Sequence, residues 1–261
     1  MKRTPRTSRR SRAVLLLLLA CFPARASIFI VAICKGGVVA VADSRFTFFD
    51  NDTGRALAYA DGLEKVIHLH AALLAETGQG FLGDERFDLF VKRFEDGAGA
   101  LPVESLLPSL LEYGARRLPA EDQRVLEQQH MAVAKFRGER PMICGYDGRL
   151  RPCVDRGYVQ SSPTDFERLA GRLGAMPAPE VAVQARASME RYVAAYRKQA
   201  TMGGEFSAAL LTPSGIHDLW IIRKPVTART LDELISLLGA RRIEVRLIPP
   251  ATRSDLERVL E

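Results

Sequence analysis

The sequence predicts an α+β protein in which antiparallel sheets and helices are stacked in layers. Three observations predict it. Short apolar runs are gathered in groups and separated by turn residues. Pairs of helix-period segments interrupt those groups. The resulting order (strands, two helices, strands, two helices, strands) lacks the regular βαβ alternation of a parallel sheet. The 261 residues are 47% apolar and 26% charged, an ordinary globular composition that excludes a disordered, collagen-like or disulfide-dense chain.

The first 26 residues hold Lys2, Arg3, Arg6, Arg9, Arg10, Arg12 and Arg25 and no acid. A basic stretch to Arg12, an apolar stretch from Ala13 to Phe22 and the small-x-small Ala24-Arg25-Ala26 read as an export signal cleaved before Ser27. The apolar stretch is short for a bilayer span, and no later run is long enough to cross a membrane. Ser8-Arg9-Arg10 also resembles a twin-arginine signal, although the leucine run suits the general secretory route. Leu18-Leu19-Ala20-Cys21 resembles a lipoprotein box, which would instead anchor the chain through Cys21. The expected location is periplasmic or secreted. Removing the seven basic charges from the formal +6 leaves −1 on residues 27–261, so net charge gives no support for a nucleic-acid partner.

Residues 27–261 are expected to form one domain, because no repeat or low-complexity linker divides them. Ile28 to Ile33 and Val38 to Ala42 surround Lys35-Gly36-Gly37 and read as a hairpin buried on both faces. Lys65 to Leu69 and Ala72 to Ala75 suggest further strands. Phe87, Phe90, Val91 and Phe94 then follow i, i+3, i+4, i+7, an amphipathic helix with Asp84 as its cap. Val103 to Arg117 gives a second helix, with Pro108 a possible kink.

Strands are expected again at Met131 to Phe136, Pro141 to Tyr146 and Leu150 to Val154, followed by helices over Asp165 to Leu173 and Pro179 to Lys198. Ser207 to Leu211 and Ile216 to Ile222 flank Pro213-Ser214-Gly215 as a last hairpin. Residues 223–261 form an extension without an assigned role. Cys34, Cys144 and Cys153 allow one bridge at most; Cys144 and Cys153 flank the turn signal Asp147-Gly148 and either pair or stay reduced. His68 and His70 share a strand face, but no convergent ligand spacing accompanies them. Neither a metal nor another cofactor is expected, and Trp220 reads as core.

Ser27-Ile28-Phe29-Ile30-Val31-Ala32-Ile33, followed by Gly37-Val38-Val39-Ala40-Val41-Ala42-Asp43-Ser44-Arg45, resembles the start of a mature proteasome β subunit and its bacterial ring-protease relatives. In that family an aspartate followed by Ser/Thr-Arg lies sixteen residues beyond the N-terminal nucleophile, as Asp43 does beyond Ser27. The export signal and the family register thus meet on one residue. Glu64-Lys65-Val66-Ile67 is similar to the family's catalytic lysine before an apolar strand, and Gly80-Phe81-Leu82-Gly83-Asp84 to its glycine-rich turn. Gly145-Tyr146-Asp147 and Gly203-Gly204-Glu205 match later strands more loosely.

The resemblance implies a four-layer αββα sandwich of the N-terminal nucleophile hydrolase type. It implies Ser27 as nucleophile with its own α-amine as base, Lys65 as the source of positive potential, Asp43 as the partner that keeps Lys65 charged, and the Gly80 amide as oxyanion donor. This chemistry suits those residue types, since an α-amine with a pKa of about 7.7–8.0 is partly neutral at physiological pH. By the same resemblance a substrate pocket is lined by Phe46, Thr47, Leu63, Ile67, Gly78 and Leu82, with Arg86 toward its far end. Large apolar residues would be preferred there and acidic ones tolerated.

The expected function is peptide-bond hydrolysis by an exported, homo-oligomeric peptidase, a ring being one form, that acts on a peptide or protein substrate. A small-amide acylase or amidase and a non-catalytic proteasome-like assembly protein are the alternatives. The last is motivated by Lys198-Gln199-Ala200-Thr201-Met202, which stands where family members carry an aspartate and a serine. Thr201 is the one residue of that run able to replace either.

Overall fold

A computed structural model describes residues 27–50, 53–98, 101–198 and 201–260. The leader read over residues 1–26, and with it Cys21, lies outside them, as do Gln199 and Ala200. The chain opens on a hairpin of β1 (Phe29–Cys34) and β2 (Gly37–Asp43), both strands buried along their whole length. β3 (Arg45–Phe49), β4 (Ala56–Asp61), β5 (Val66–His68), β6 (Ala72–Thr77), β7 (Phe81–Leu82) and β8 (Glu85–Arg86) follow. Helices α1 (Phe87–Ala98), α2 (Val103–Arg117) and α3 (Ala120–Gln128) lead to the hairpin β9 (His130–Arg137) and β10 (Arg140–Asp147). β11 (Tyr158–Gln160), α4 (Ala178–Ala195), β12 (Phe206–Thr212), β13 (Gly215–Trp220), α5 (Leu231–Gly239), β14 (Arg246–Leu247) and α6 (Arg253–Leu260) complete the described chain.

The four-layer αββα sandwich expected from the sequence is corrected to a mixed α/β arrangement with several antiparallel sheets. The described strands divide among four sheets, ordered β11-β1-β2-β12-β13, β10-β9-β6-β5, β14-β4-β3 and β7-β8. The division begins just after Asp43. There the Ser44 N–H donates to Glu205 O (2.9 Å), and the Ser44 carbonyl accepts from the N–H groups of Gly62 and Leu63 (3.0 Å each). β3 therefore leaves the first hairpin and pairs with β4, Phe46 opposite Ala60 and Phe48 opposite Ala58. Its aromatic side chains need an apolar partner of their own, and Val226, Ala228, Leu234 and Leu238 supply it. Residues 226–245, within the segment unassigned in the sequence, thus build a separate core, and β14 pairs with β4.

Apolar clusters fix the larger sheets. Phe29, Val31, Val38 and Ala40 meet Val66, Leu73, Ala132 and Ala134. Phe87, Phe90, Val91 and Phe94 of α1 pack on Ile67, Leu74 and Met131, so the 3.6-residue period marks the buried face of that helix. Full burial of each such side chain contributes about 1.5–3 kcal/mol. α4 covers Ile30, Val39 and Val41 with Val181, Ala185 and Met189.

Several local expectations change. α1 starts at Phe87, and Asp84 reaches the start of α5 instead, its Oδ1 accepting from the N–H groups of Leu231 (2.9 Å) and Asp232 (3.4 Å) beside the N-cap Thr230, whose hydroxyl accepts from the Glu233 N–H (3.1 Å). Residues 150–154 make isolated bridges at Leu150 and Val154 and no strand. The helix expected over residues 165–173 is two short 3₁₀ turns, Asp165–Leu169 and Leu173–Ala175, broken around Gly171, where glycine weakens helix formation. Pro108 sits inside α2, which continues to Arg117. Trp220 is half-buried, with the Arg186 guanidinium 6.0 Å above its ring. Cys144 and Cys153 are disulfide-bonded, which leaves Cys34 as a buried free thiol. No described helix is long and apolar enough to cross a membrane.

Candidate active site

The first hairpin places Ser27 and Asp43 side by side. Register pairs Phe29 with Ala42, so Asp43 at the end of β2 comes level with Ile28 just ahead of β1. The Asp43 N–H donates to Ile28 O, and the Ile28 N–H donates back to Asp43 Oδ1, both at 3.1 Å. Position 27 is thereby pinned by its neighbour's backbone. The other carboxylate oxygen, Oδ2, accepts from the Gly203 N–H at 2.8 Å. Gly203 takes φ +127°, a conformation open to glycine and rarely to other residues.

Lys65 enters from the start of β5. Its ammonium donates to Asp43 Oδ1 at 3.0 Å, to Ser27 Oγ and to the Arg45 carbonyl. All three of its protons are thus used. Ser27, Asp43 and Lys65 are each at most 2% exposed. Burial pushes the Asp43 carboxyl above its ordinary range, opposed by Lys65 and by the amides of Gly203 and Ile28. Arg45 joins this group through its backbone carbonyl. Its guanidinium forks onto Asp61 (2.8 and 3.1 Å), reaches Met202 O (3.4 Å) and lies 3.9 Å above the Tyr59 ring.

Of the residues expected around the nucleophile, the structure brings Ser27, Asp43 and Lys65 together and distributes the others. Gly80 lies against Leu63: a Cβ there would stand 2.4 Å from Leu63 Cδ2, so a side chain at this position would require the leucine to move. The Gly80 carbonyl accepts from the Phe87 N–H (2.9 Å), which ties this turn to the start of α1. The side chain of Gln129 lies against Gly78. Ile67 and Leu82 belong to the core beneath α1. Phe46 is half-buried against the C-terminal cluster, and Thr47 lies beside it on β3.

Arg86 does not stand free for a substrate carboxylate. It pairs with Asp88 (2.5 and 3.0 Å) and donates to the carbonyls of Val226 (2.8 Å) and Ala228 (3.0 Å). Thr201 does not reach the cluster either, since its hydroxyl donates to Lys198 O at 3.3 Å. His68 and His70 take Asp218 (3.2 Å) and Glu95 (3.0 Å) as partners, and no group of metal-ligating side chains occurs among the described residues.

Sequence reasoning missed three contributors. Ser161 Oγ accepts from the Phe29 N–H at 3.0 Å and braces β1 from 132 residues away. Gly203 was matched as part of a Gly-Gly pair but not as a ligand of Asp43. Glu76, 2% exposed, lies across the sheet from Lys65. A readable signal existed only for Gly203.

A cavity of about 220 Å³ opens between β5 and the β12–β13 hairpin, lined in part by Glu64, His68, Ser207 and Asp218. Burial raises the Glu64 carboxyl, with the Ser207 hydroxyl and the Val66 amide opposing. A larger cavity of about 480 Å³ is lined by α2, α3 and β10, with none of the cluster residues in its wall. No protein-family model matches the chain, and no curated protein is significantly similar to it.

Proposed function

We propose that this protein is an exported, proteasome-like peptidase that hydrolyses amide bonds with Ser27 as an N-terminal nucleophile. The observation that carries the proposal is the contact of one buried ammonium, Lys65 Nζ, with both Ser27 Oγ and the Asp43 carboxylate. Removal of residues 1–26 gives Ser27 an α-amine, whose ordinary pKa of about 7.7–8.0 leaves part of it neutral near pH 7. That amine takes the Oγ proton while Oγ attacks the substrate carbonyl carbon. The adjacent Lys65 charge favours the developing alkoxide, and Asp43 holds Lys65 in place.

The tetrahedral intermediate collapses with loss of the C–N bond, and the amine returns its proton to the leaving nitrogen. Water then repeats the sequence on the Ser27 ester. The Gly80 N–H is the donor this reading assigns to the oxyanion, a contribution of about 3 kcal/mol for one such group.

A small-amide acylase is the second reading, favoured by the burial of Ser27, only 2% exposed, which suits a compact substrate better than an extended chain. The resemblance also supports a homo-oligomer, measurable by sedimentation. N-terminal sequencing of the exported protein, with fluorogenic peptides and small amides assayed in parallel, tests the proposal. A mature chain that starts at Ser27 and turns over one of these substrates is expected. A blocked or earlier N-terminus would remove the base on which the mechanism depends.

A further inference from the structure

Glu76 is a buried carboxyl that the proposed reaction does not use. The β5–β6 ladder pairs Val66 with Ala75, and the next step brings Glu76 opposite Lys65, where the Glu76 N–H donates to Lys65 O at 3.1 Å. Directly opposed residues of an antiparallel pair project from the same face of the sheet. Glu76 Oε2 is sealed from solvent and has no hydrogen-bond partner among the described residues. A carboxylate oxygen in that condition is costly unless it acts on a neighbouring charge.

The charged groups that act on it come from three elements: Lys65 beside β5, Asp43 of β2 and Asp88 of α1. Asp88 is itself paired with Arg86 and Lys92. On the fourth side β9 presents Met131, which carries no charge.

We infer that Glu76 is a positioning residue, set across the sheet from Lys65, whose carboxyl governs how much of the lysine's positive potential reaches Ser27. The inference rests on the reading of Ser27 as an N-terminal nucleophile. With Glu76 protonated, Asp43 is the only anion paired with Lys65 among the described residues. With Glu76 ionised, a second anion faces the same ammonium. The Lys65 potential at Ser27 Oγ is then partly cancelled, and the alkoxide that develops there is less well stabilised. Burial, the largest cause, pushes the Glu76 carboxyl up to about 8; Lys65 pulls it down, and Asp43 and Asp88 add to the rise. The change of charge therefore falls within the working range of the amine.

The test compares kcat/KM from pH 6 to 10 for the mature wild-type protein, Glu76→Gln and Glu76→Met, with Ser27→Ala as the blank. The wild type is expected to lose turnover above pH about 8, and both variants to carry that limb upward by about one unit or more. Superimposed limbs overturn the positioning role. Absence of Ser27-dependent turnover in the wild type instead overturns the functional reading, and the inference falls with it.

A second arm needs no turnover. Folded Glu76 keeps a proton that the unfolded chain releases near pH 4.5, so wild-type stability should fall relative to Glu76→Gln as pH rises from about 4.5 to about 8, then level off. A stability difference that stays flat across that window overturns the inference whatever the assay shows.

Discussion

Lys65 Nζ stands 3.0 Å from Asp43 Oδ1, and the two side chains are 2% and 0% exposed. The pair is thus structural as well as chemical. Removing one partner of a buried ion pair leaves an uncompensated charge, at a cost of about 3–5 kcal/mol. Asp43 additionally accepts from the N–H groups of Ile28 and Gly203, both orphaned in Asp43→Ala. We predict that Asp43→Ala destabilises the fold more than Lys65→Met does. Urea unfolding of the two variants checks this, and an equal or smaller loss at Asp43 would contradict it.

Ser27 contributes no apolar packing, and the hydrogen bond its hydroxyl makes is the one it accepts from Lys65. Ser27→Ala is therefore expected to unfold within about 1 kcal/mol of the wild type, the usual net worth of one hydrogen bond, while turnover drops to the blank. Adding a single alanine before Ser27 is expected to have the same effect on turnover, because it converts the α-amine to an amide. Turnover that survives either change would exclude the α-amine mechanism.

Arg86 holds the carbonyls of Val226 and Ala228 against the start of α1. Hydrogen bonds to charged groups contribute about 1.5–3 kcal/mol each. Arg86→Ala should lower stability by about 2–4 kcal/mol and expose residues 223–230 to proteolysis. It should leave the relative rates on acidic and apolar substrates unchanged. Limited proteolysis with mass mapping measures the first effect, and a peptide panel the second. A selective loss of acidic substrates would return Arg86 to the substrate pocket.

The Cys144–Cys153 bridge spans nine residues of sequence. Closing so short a loop restricts the unfolded chain by an amount equivalent to about 2–3 kcal/mol. Cys153→Ser or reduction should cost about that much in stability. The site lies on other strands, so turnover in the folded protein should not change. Unfolding with and without reductant decides the matter.

The sequence by itself determined the local elements whose side chains repeat with one period. The β1–β2 hairpin is legible because both strands are apolar throughout, and α1 because Phe87, Phe90, Val91 and Phe94 recur at helical spacing. Ser27, Asp43 and Lys65 were legible as a set through their order and a matched register, and a hairpin converts that register directly into proximity. β3 and β4 were not legible, since their exposed and buried residues mix without clear alternation until the C-terminal segment covers one face.

Tertiary structure alone decided how the strands were shared among sheets, because pairing depends on where the chain turns at Ser44 and on partners as distant as Glu205. It also moved Asp84 from the expected cap of α1 to the first N–H groups of α5 and turned Arg86 from the expected pocket to the carbonyls of residues 226 and 228. Ser161 and Glu76 came to the cluster in the same way. Most of these contacts join residues more than a hundred positions apart, and no local periodicity encodes them: which acceptor a buried donor finds is set by the packing of whole elements.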